Sequence, residues 1–478
     1  MGGSAFSCGR APLRTPRMLP SIYHAQKQRC QALLRKLYVH VDSPIDGPGK
    51  KDFGDIDILV FQRRPEAPPP PQPLSDTEPG YELIHELATL LGSKRTQFAE
   101  KSSSNLAIPW PTDADDQVTP DAADDASAAA PSSPGSSPDK EQKYIQVDVR
   151  ISPSLEEHNW MLFKHAHGDI WNIIGCLVRP YGLTIDDTGM YLRIPEIEKK
   201  NKKLAKVHLT SDPNRVLDFL GLPHTGAEYE CIWIDEPFAT PDAMFEYVAL
   251  CRMMYVKPDL GIKGLQEDLE NLKYSDRHRL KTRPVFKAWR EGFCQRCRLE
   301  GRFAVEQMSR EEVTADALEV FGVRNLFENR QREFRRESQR SRIRDDLIKG
   351  VAPLLTPDCT AHMAMTTRGC LEKGLKKIIL ERDESYGVQF DESMLDADGL
   401  YKEDEVKRFI EQHKEAVQVA AIAKHHALFI ASKERKLNEQ KQSNSEEQKA
   451  EVEAGKQEQQ AEEQKSEEQK SEGQKSED

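Results

Sequence analysis

The feature that most constrains this chain is a short apolar strand interrupted by two carboxylates, KKDFGDIDILV at residues 50–60. Gly54 opens the strand, and Asp55 and Asp57 follow at alternate positions among isoleucine, leucine and valine. Since the side chains of a strand alternate between its faces, both carboxylates point to the same side. Neighbouring carboxylates repel each other, which raises their pKa values unless a positive group lies between them. The pattern fits either a solvated edge strand or half of a site for Mg²⁺ (or Mn²⁺), which prefers oxygen ligands.

A second β-rich run, YIQVDVRI at residues 144–151, carries a single carboxylate, Asp148, among apolar neighbours. Burying an aspartate without a partner costs free energy, so we expect Asp148 to have a specific partner. If this strand pairs with the first, three carboxylates meet at one place. Such a cluster can bind two divalent cations that hold the attacking and leaving oxygens of a phosphoryl transfer in line.

With these motifs the chain resembles the nucleotidyltransferase superfamily, which has the DNA polymerase beta-like fold. More closely, it is similar to fungal and phage-type members with a GD-h-D strand, a later Q-h-D-h strand (h is apolar) and a helix like HGDIWNIIG, residues 167–175. The similarity extends over residues 27–254. It implies that Asp55, Asp57 and Asp148 are the catalytic and metal-binding carboxylates. The implied reaction moves a nucleoside monophosphate from a nucleoside triphosphate to an acceptor hydroxyl by a two-metal mechanism.

The loop before the first strand departs from the family pattern. Where the family has Gly-Gly or Gly-Ser, this chain reads VHVDSPIDGPGKK at residues 39–51. The resemblance implies that Ser43, Gly54, Lys50 and Lys51 bind the nucleotide phosphates through a hydroxyl, a flexible backbone and positive charge. The same residues also fit an ordinary Pro/Gly turn. This departure leaves open an alternative function, a non-catalytic nucleotide- or RNA-binding protein on the same fold.

The order of elements predicts an α/β fold, with a small mixed-sheet nucleotidyltransferase-like domain followed by a mostly helical domain and a disordered tail. A Pro-rich loop at residues 64–79 and a disordered Ala/Ser/Pro/Asp insertion at 111–142 lie inside the first domain. The predicted segments are a flexible basic N-terminus at 1–20, the nucleotidyltransferase-like domain at 21–255, the helical domain at 256–432 and the acidic low-complexity tail at 433–478.

Charge is distributed unevenly along the 478 residues, whose formal net charge is −12. Residues 113–140 hold seven Asp and one Lys, and residues 434–478 hold fourteen acidic and eight basic side chains. Each segment therefore carries −6, and the rest of the chain is formally neutral. The acidic composition does not exclude a polyanionic substrate for the core.

An arginine-rich run at residues 329–344 is the densest basic segment. It predicts either a surface that contacts RNA phosphates or a solvated helix face in which glutamates pair with the arginines. The candidate RNA contacts are Arg330, Arg332, Arg335, Arg336 and Arg340.

Nine scattered cysteines, an odd number, predict a reducing compartment, the cytoplasm or the nucleus. The first 41 residues contain no acidic side chain, which also permits a mitochondrial transit peptide. Cys294 and Cys297 form a single C-x-x-C pair, which predicts neighbours on one helix rather than a zinc site. No apolar run reaches the length of a membrane span, so we expect no membrane partner.

Overall fold

The structure is a computed structural model that describes residues 3–8, 11–69, 80–111, 142–226, 229, 232–233, 235–258 and 272–473, with side chains up to residue 442. Most of the predicted Pro-rich loop and of the predicted insertion lies outside the described residues. The chain divides into two compact units, residues 1–329 and 330–478.

The regular elements of the described residues are numbered here in chain order. The strands are β1 (Tyr38–Asp42), β2 (Asp55–Arg63), β3 (Arg95–Glu100), β4 (Ser103–Pro109), β5 (Tyr144–Ile151), β6 (Leu183–Asp186), β7 (Gly189–Arg193) and β8 (Lys206–Thr210). The helices are α1 (Pro20–Leu34), α2 (Glu82–Leu91), α3 (Leu155–His165), α4 (Ile170–Val178), α5 (Pro195–Glu198), α6 (Pro213–Leu220), α7 (Pro241–Ala249), α8 (Tyr274–Thr282), α9 (Pro284–Lys287), α10 (Cys294–Leu299), α11 (Arg310–Val320), α12 (Arg324–Arg342), α13 (Ala361–Glu381) and α14 (Glu403–Gly473). Two π-helical turns are Ala288–Phe293 and Ile343–Ile348, and two 3₁₀ turns are Glu384–Tyr386 and Glu392–Met394.

Five strands of the first unit form a mixed sheet in the order β1-β2-β5-β4-β3. The central pair β2/β5 is parallel, and the other pairs are antiparallel. A smaller antiparallel sheet contains β6, β7 and β8, and its first two strands are the hairpin predicted around residues 186–189. The predicted α/β class, with a small mixed sheet followed by a mostly helical region, is confirmed.

Alternation along β2 and β5 separates a buried face from a polar face. The apolar residues of the two strands are almost fully buried and pack against α1 and α2. Those strand residues are Ile56, Ile58, Val60, Ile145, Val147 and Val149. Because a strand has a period of two, the intervening residues, which include the carboxylates, lie on the opposite face.

Residues 1–20, predicted to be a flexible basic terminus, are instead packed in their described part. Phe6 is 2% exposed and Met18 is fully buried. The backbone N–H of Met18 donates to Phe53 over 2.7 Å, and Phe53 donates back over 2.9 Å. The segment carries apolar side chains that are buried against the rest of the unit, which accounts for its packing.

The division between the units falls later than the predicted boundary at residues 255/256. Helices α8 to α11, which follow residue 272, belong to the first unit, and ion pairs and aromatic contacts attach this part of the chain to it. Asp276 accepts a hydrogen bond from Arg179, and the ring of Trp289 lies 5.5 Å from that of Phe245. Contacts between charged or aromatic residues that lie far apart in the sequence leave no periodic pattern, so the sequence pattern did not place this boundary.

The second unit is built on α13 and the first part of α14. Buried side chains of α13, among them Leu371 and Ile378, form one core with Val406 and Val417 of α14. Gly374 permits this close approach, because a Cβ built there would lie 2.8 Å from a methyl group of Val417. The backbone of α14 extends to Gly473. None of the helices within the described ranges has both the length and the apolar character of a membrane span.

Candidate active site

The three predicted carboxylates lie on adjacent strands of the mixed sheet. Asp57 of β2 is the register partner of Asp148 of β5, and Asp55 is the partner of Gln146. On the far side of β5, Asn105 of β4 is the partner of Asp148. Since register partners of neighbouring strands point to the same face, Asp57, Asp148 and Asn105 form a polar row across three strands. We call Asp55, Asp57 and Asp148 the carboxylate row.

Two side chains that sequence reasoning missed hold Asp148. Its Oδ1 accepts hydrogen bonds from Nδ2 of Asn105 over 2.7 Å and from Nε2 of Gln146 over 2.9 Å. Gln146 precedes Asp148 by two residues, so strand alternation alone could have indicated that it faces the same way. Asn105 needed the pairing of β4 with β5, which no local pattern indicates.

The negative charge of the carboxylate row is only partly compensated, by Lys50. Burial raises the pKa of Asp57 to about 7, and the charges of Asp55 and Asp148 add to the increase. Burial also raises the pKa of Asp148 to about 6, against the hydrogen bond from Gln146 that lowers it. Water still reaches the Asp57 side chain. Protein therefore surrounds this carboxylate without closing over it, as at the floor of an open recess.

The residues of the row suit a divalent cation in their chemistry, because carboxylate oxygens are the donors that Mg²⁺ and Mn²⁺ prefer. In the described part of the chain, however, no group of three or more His, Cys, Asp or Glu side chains is arranged to hold a metal ion. Asp148 and Asp55 instead accept hydrogen bonds, Asp148 from Asn105 and Gln146 and Asp55 from the N-terminal segment.

The partner of Asp55 comes from the N-terminal segment. The backbone N–H of Gly3 donates to Oδ2 of Asp55 over 3.0 Å, and that of Ala5 donates to Oε1 of Gln146 over 2.9 Å. Gly3 has φ +86°, and a Cβ built on it would lie 2.2 Å from the carbonyl oxygen of Gly54. Gly54, predicted to contact nucleotide, is therefore buried beneath residues 3–5.

A cavity of ≈ 480 Å³ lies along the loop predicted to bind phosphates. Ser43 and Lys50 line it, whereas Lys51 is exposed and is not among its lining residues. The Ser43 hydroxyl accepts a hydrogen bond from Nε2 of Gln31 over 3.0 Å. Cavities of this size are typical of small-molecule sites. Two of the four predicted nucleotide-binding residues thus share one cavity.

Asp46, which sequence reasoning did not single out, organises this loop. Its carboxylate accepts from the Tyr23 hydroxyl at 3.1 Å, and Lys27 and Lys50 lie 3.3 and 3.5 Å from it. The Tyr23 ring stacks on Phe53 with 3.8 Å between ring centres. Lys50 also lowers the pKa of Asp57, which lies near it, although burial and the neighbouring carboxylates outweigh this effect. The cavity therefore adjoins the carboxylate row.

The HGD part of the motif at residues 167–175 supports the same loop. The backbone N–H of His167 donates to the carbonyl of Ile45 over 2.8 Å. Gly168 has φ +65°, and a Cβ on it would lie 3.3 Å from Cα of Gly47. The two glycines allow the backbones to touch, so the segment around His167 supports the loop around Ile45.

A chain of hydrogen bonds joins Ser152, His158 and Asp42, the side-chain types of a hydrolytic triad. The Ser152 hydroxyl lies 3.2 Å from Nδ1 of His158, whose Nε2 lies 3.0 Å from Asp42. Ser152 is only 5% exposed and His158 only 1%, so no substrate reaches the hydroxyl. The hydrogen bond from His158 lowers the pKa of Asp42. The network anchors the end of β1, directly before Ser43.

The arginines predicted to contact RNA lie on α12 within the second unit. Arg336 donates to the carbonyl of Asp398, and Arg340 lies 3.9 Å from Glu337 on the same helix. The Arg340 contact agrees with the alternative in which glutamates of the helix pair with its arginines, whereas Arg336 makes a contact distant in sequence. An RNA surface on α12 stays a prediction.

Comparison of the sequence with protein-family models and with curated proteins gives no match. Among solved structures, the chain is similar to polymerase beta of Leishmania infantum in a ternary P/T complex. The TM-score is 0.28 and the identity 15%, and the match covers 44% of this chain and 74% of that chain.

Proposed function

We propose that the protein is a metal-dependent nucleotidyltransferase that moves a nucleoside monophosphate from a nucleoside triphosphate to an acceptor hydroxyl. The observation that carries the proposal is the register of β2 and β5, which sets Asp57 directly beside Asp148 with Asp55 two residues away on the same face. A purely structural role does not account for Asp57 and Asp148, whose pKa values are raised by burial and further by neighbouring carboxylates.

The carboxylate row would hold the metal ions. Asp55 and Asp57 would bind the ion that carries the triphosphate, and Asp148 would share a second ion. When bound, Mg²⁺ or Mn²⁺ neutralises the charge that develops on the phosphate oxygens and increases the acidity of the attacking hydroxyl. For this the row must give up the hydrogen bond of Asp55 to the Gly3 backbone.

The protein's own residues would contribute position and proton transfer. Alternatively, Asp148 would act as the base that accepts the proton of the acceptor hydroxyl, with its orientation set by Asn105 and Gln146. Ser43 and Lys50 would contact the triphosphate in the adjoining cavity. Holding the two reactants in line is the larger part of catalysis in phosphoryl transfer.

The test measures Mg²⁺-dependent transfer of label from α-labelled nucleoside triphosphates in wild-type protein, Asp57→Asn and Asp148→Asn. Each variant should lose activity about 100-fold or more, because each removes a metal ligand or the base. Asp187→Asn, which changes an exposed carboxylate in the β6–β7 turn, is the matched control and should be unaffected. Wild-type-like turnover by Asp57→Asn would refute the assignment of this site.

A second candidate function is binding of nucleotide or RNA without turnover. One observation favours it. Asp55 already accepts a hydrogen bond from the Gly3 backbone, and Asp148 accepts hydrogen bonds from Asn105 and Gln146. Equilibrium dialysis with a nucleoside triphosphate and Mg²⁺, combined with a pyrophosphate-release assay, separates the two. Binding without pyrophosphate release would favour this second function.

A further inference from the structure

A second cavity of the first unit, of ≈ 760 Å³, is strongly basic. It is formed where α4, the β6–β7 hairpin, the turn after α5, α8 and the start of α11 meet. Among its described lining residues are nine basic side chains and two acidic ones. It shares no lining residue with the carboxylate row or with the cavity beside it. We call it the basic cavity.

Both acids of the basic cavity are engaged with arginines of its wall. Glu198 pairs with Nε of Arg193 over 2.7 Å and with Nη1 of Arg310 over 2.8 Å. Asp276 pairs with Arg179 over 2.6 Å. Arg310 also has a buried Nε without a hydrogen-bond partner in the described structure. The acids therefore fix the arginines in place, and Lys206, a further basic lining residue, pairs with Asp186 over 2.5 Å.

Five further basic side chains have no acidic partner within the described residues. They are Lys199, Lys202, Lys203, Lys273 and Arg290. The lysines are exposed around the opening, and Arg290 is half-buried on the π-helical turn. The pKa of Lys273 is lowered, by desolvation first and then by the charges of Arg179, Arg193 and Lys202. Like charges gathered in a concavity repel one another, which makes an anion favourable there.

We propose that the basic cavity binds a compact anion with several phosphate groups and no nucleobase. Its volume lies in the range of small-molecule sites, whereas RNA needs an extended basic track. Its wall offers little that recognises a base. Phe286 is buried to 1% exposure and cannot stack on a ligand, and the Thr184 hydroxyl already accepts from Arg193 over 2.6 Å. A cyclic polyol polyphosphate and a linear polyphosphate share the required chemistry.

The experiment is calorimetric titration of the full-length protein with inositol hexakisphosphate and, separately, with tripolyphosphate, at about 0.15 M salt. We expect saturable binding at one site, with affinity that falls as salt rises. Tighter binding of the hexakisphosphate indicates a polyol source, and tighter binding of tripolyphosphate indicates a linear one. Nucleotide turnover is not needed, and Asp57→Asn should bind as wild type does. Failure here is therefore distinguishable from failure of the proposed enzyme function.

Paired variants locate the site. Lys199→Ala combined with Lys202→Ala should weaken binding about tenfold or more, because two charge-assisted contacts are lost. Lys36→Ala combined with Lys94→Ala removes the same charge from exposed positions outside the basic cavity and should leave affinity unchanged. Arg290→Gln should also weaken binding, with circular dichroism as the check on folding.

Three results would overturn the proposal. One is the absence of saturable binding of both probes by the wild-type protein. Another is equal loss of affinity in the cavity pair and the control pair. The third is displacement of the hexakisphosphate by single-stranded RNA at a lower phosphate concentration, which would assign the lysines to an RNA surface.

Discussion

The carboxylate row and the basic cavity belong to the same unit and have opposite excess charge, but they are constructed differently. The row uses three short side chains on two paired strands, and their positions follow from backbone register. The cavity collects long side chains from several helices, a hairpin and a turn. The pKa values of Asp57 and Asp148 are raised and that of Lys273 is lowered, first by burial and then by neighbouring like charges.

This difference shows which kind of site can be found from a sequence. Strand side chains repeat every two residues, so acids at alternate positions of an apolar run are visible without any structure. The lysines of the cavity lie among ordinary surface lysines, whose usual interpretation is a solvated loop. What distinguishes Lys199, Lys202, Lys203 and Lys273 is that no acidic partner is found for them among the described residues.

The largest expected effect comes from measuring one variant of each region in both assays, nucleotide transfer and hexakisphosphate binding. Asp148→Asn should reduce nucleotide transfer about 100-fold or more and leave hexakisphosphate binding unchanged. Arg290→Gln should weaken hexakisphosphate binding and leave nucleotide transfer unchanged. Transfer rates and calorimetric affinities of the same two preparations check this. If either variant impaired both functions equally, the two regions would not be independent sites.

The next effect is on stability and concerns the acid that holds the wall of the basic cavity. Glu198→Gln weakens the ion pairs with Arg193 and Arg310, so we expect a loss of about 1–3 kcal/mol in the free energy of unfolding. Tryptophan fluorescence in urea measures it well, since all five tryptophans lie before residue 330 and report on the first unit. Glu311→Gln, on an exposed position of α11, is the control and should change little.

A somewhat smaller effect tests the contact between the N-terminal segment, residues 3–5, and the carboxylate row. Gly3→Ala places a Cβ 2.2 Å from the Gly54 carbonyl oxygen, which should displace the N-terminal segment from Asp55. Gly92→Ala is matched to it, because Gly92 also has positive φ (+72°) but no atom within 4 Å of the built Cβ. We expect Gly3→Ala to cost about 1 kcal/mol more than the control in urea unfolding and to tighten Mn²⁺ binding. Equal effects of the two substitutions would contradict the contact.

The smallest effect is the pH dependence of stability without divalent cations. The folded-state pKa of Asp57 is about 7, above its usual value of 3.8. The folded state therefore binds more protons than the unfolded state between these values, and stability falls as pH rises through this interval. Asp57→Asn should lose this slope. The difference between wild type and variant should be about 1 kcal/mol or less, because water reaches the side chain and screens the repulsion.

Urea midpoints at pH 5 and pH 8 in the presence of a chelator measure this difference. The change in stability between pH 5 and pH 8 must be compared between wild type and variant, because His167 contributes a pH dependence of opposite sign to both proteins. Burial lowers the pKa of His167 to about 4, so its contribution to stability falls as pH drops below the usual histidine value. A wild-type slope no steeper than that of Asp57→Asn would show that the row is not repulsive.

Much of the fold and part of the candidate site follow from the sequence. The apolar alternation around Asp55 and Asp57, the similar run around Asp148 and the Asp-rich hairpin turn all correspond to strands or turns of the structure. Local signals sufficed there because period, turn chemistry and burial act on adjacent residues. They did not reveal that residues 3–5 cover the start of β2, because that contact bridges about 50 residues of chain.

What the sequence determined by itself is the kind of side chain on each face of β2 and β5, since alternation is a property of a single strand. Only the tertiary structure decided that Asp57 would lie beside Asp148, that Asn105 and Gln146 would hold it, and that Asp46 would organise the loop. It also decided that basic residues spread from Arg179 to Arg310 would enclose one cavity. The register of the strands and the walls of the cavity depend on which segments, distant in sequence, pack together and exclude water. No local sequence pattern encodes this packing.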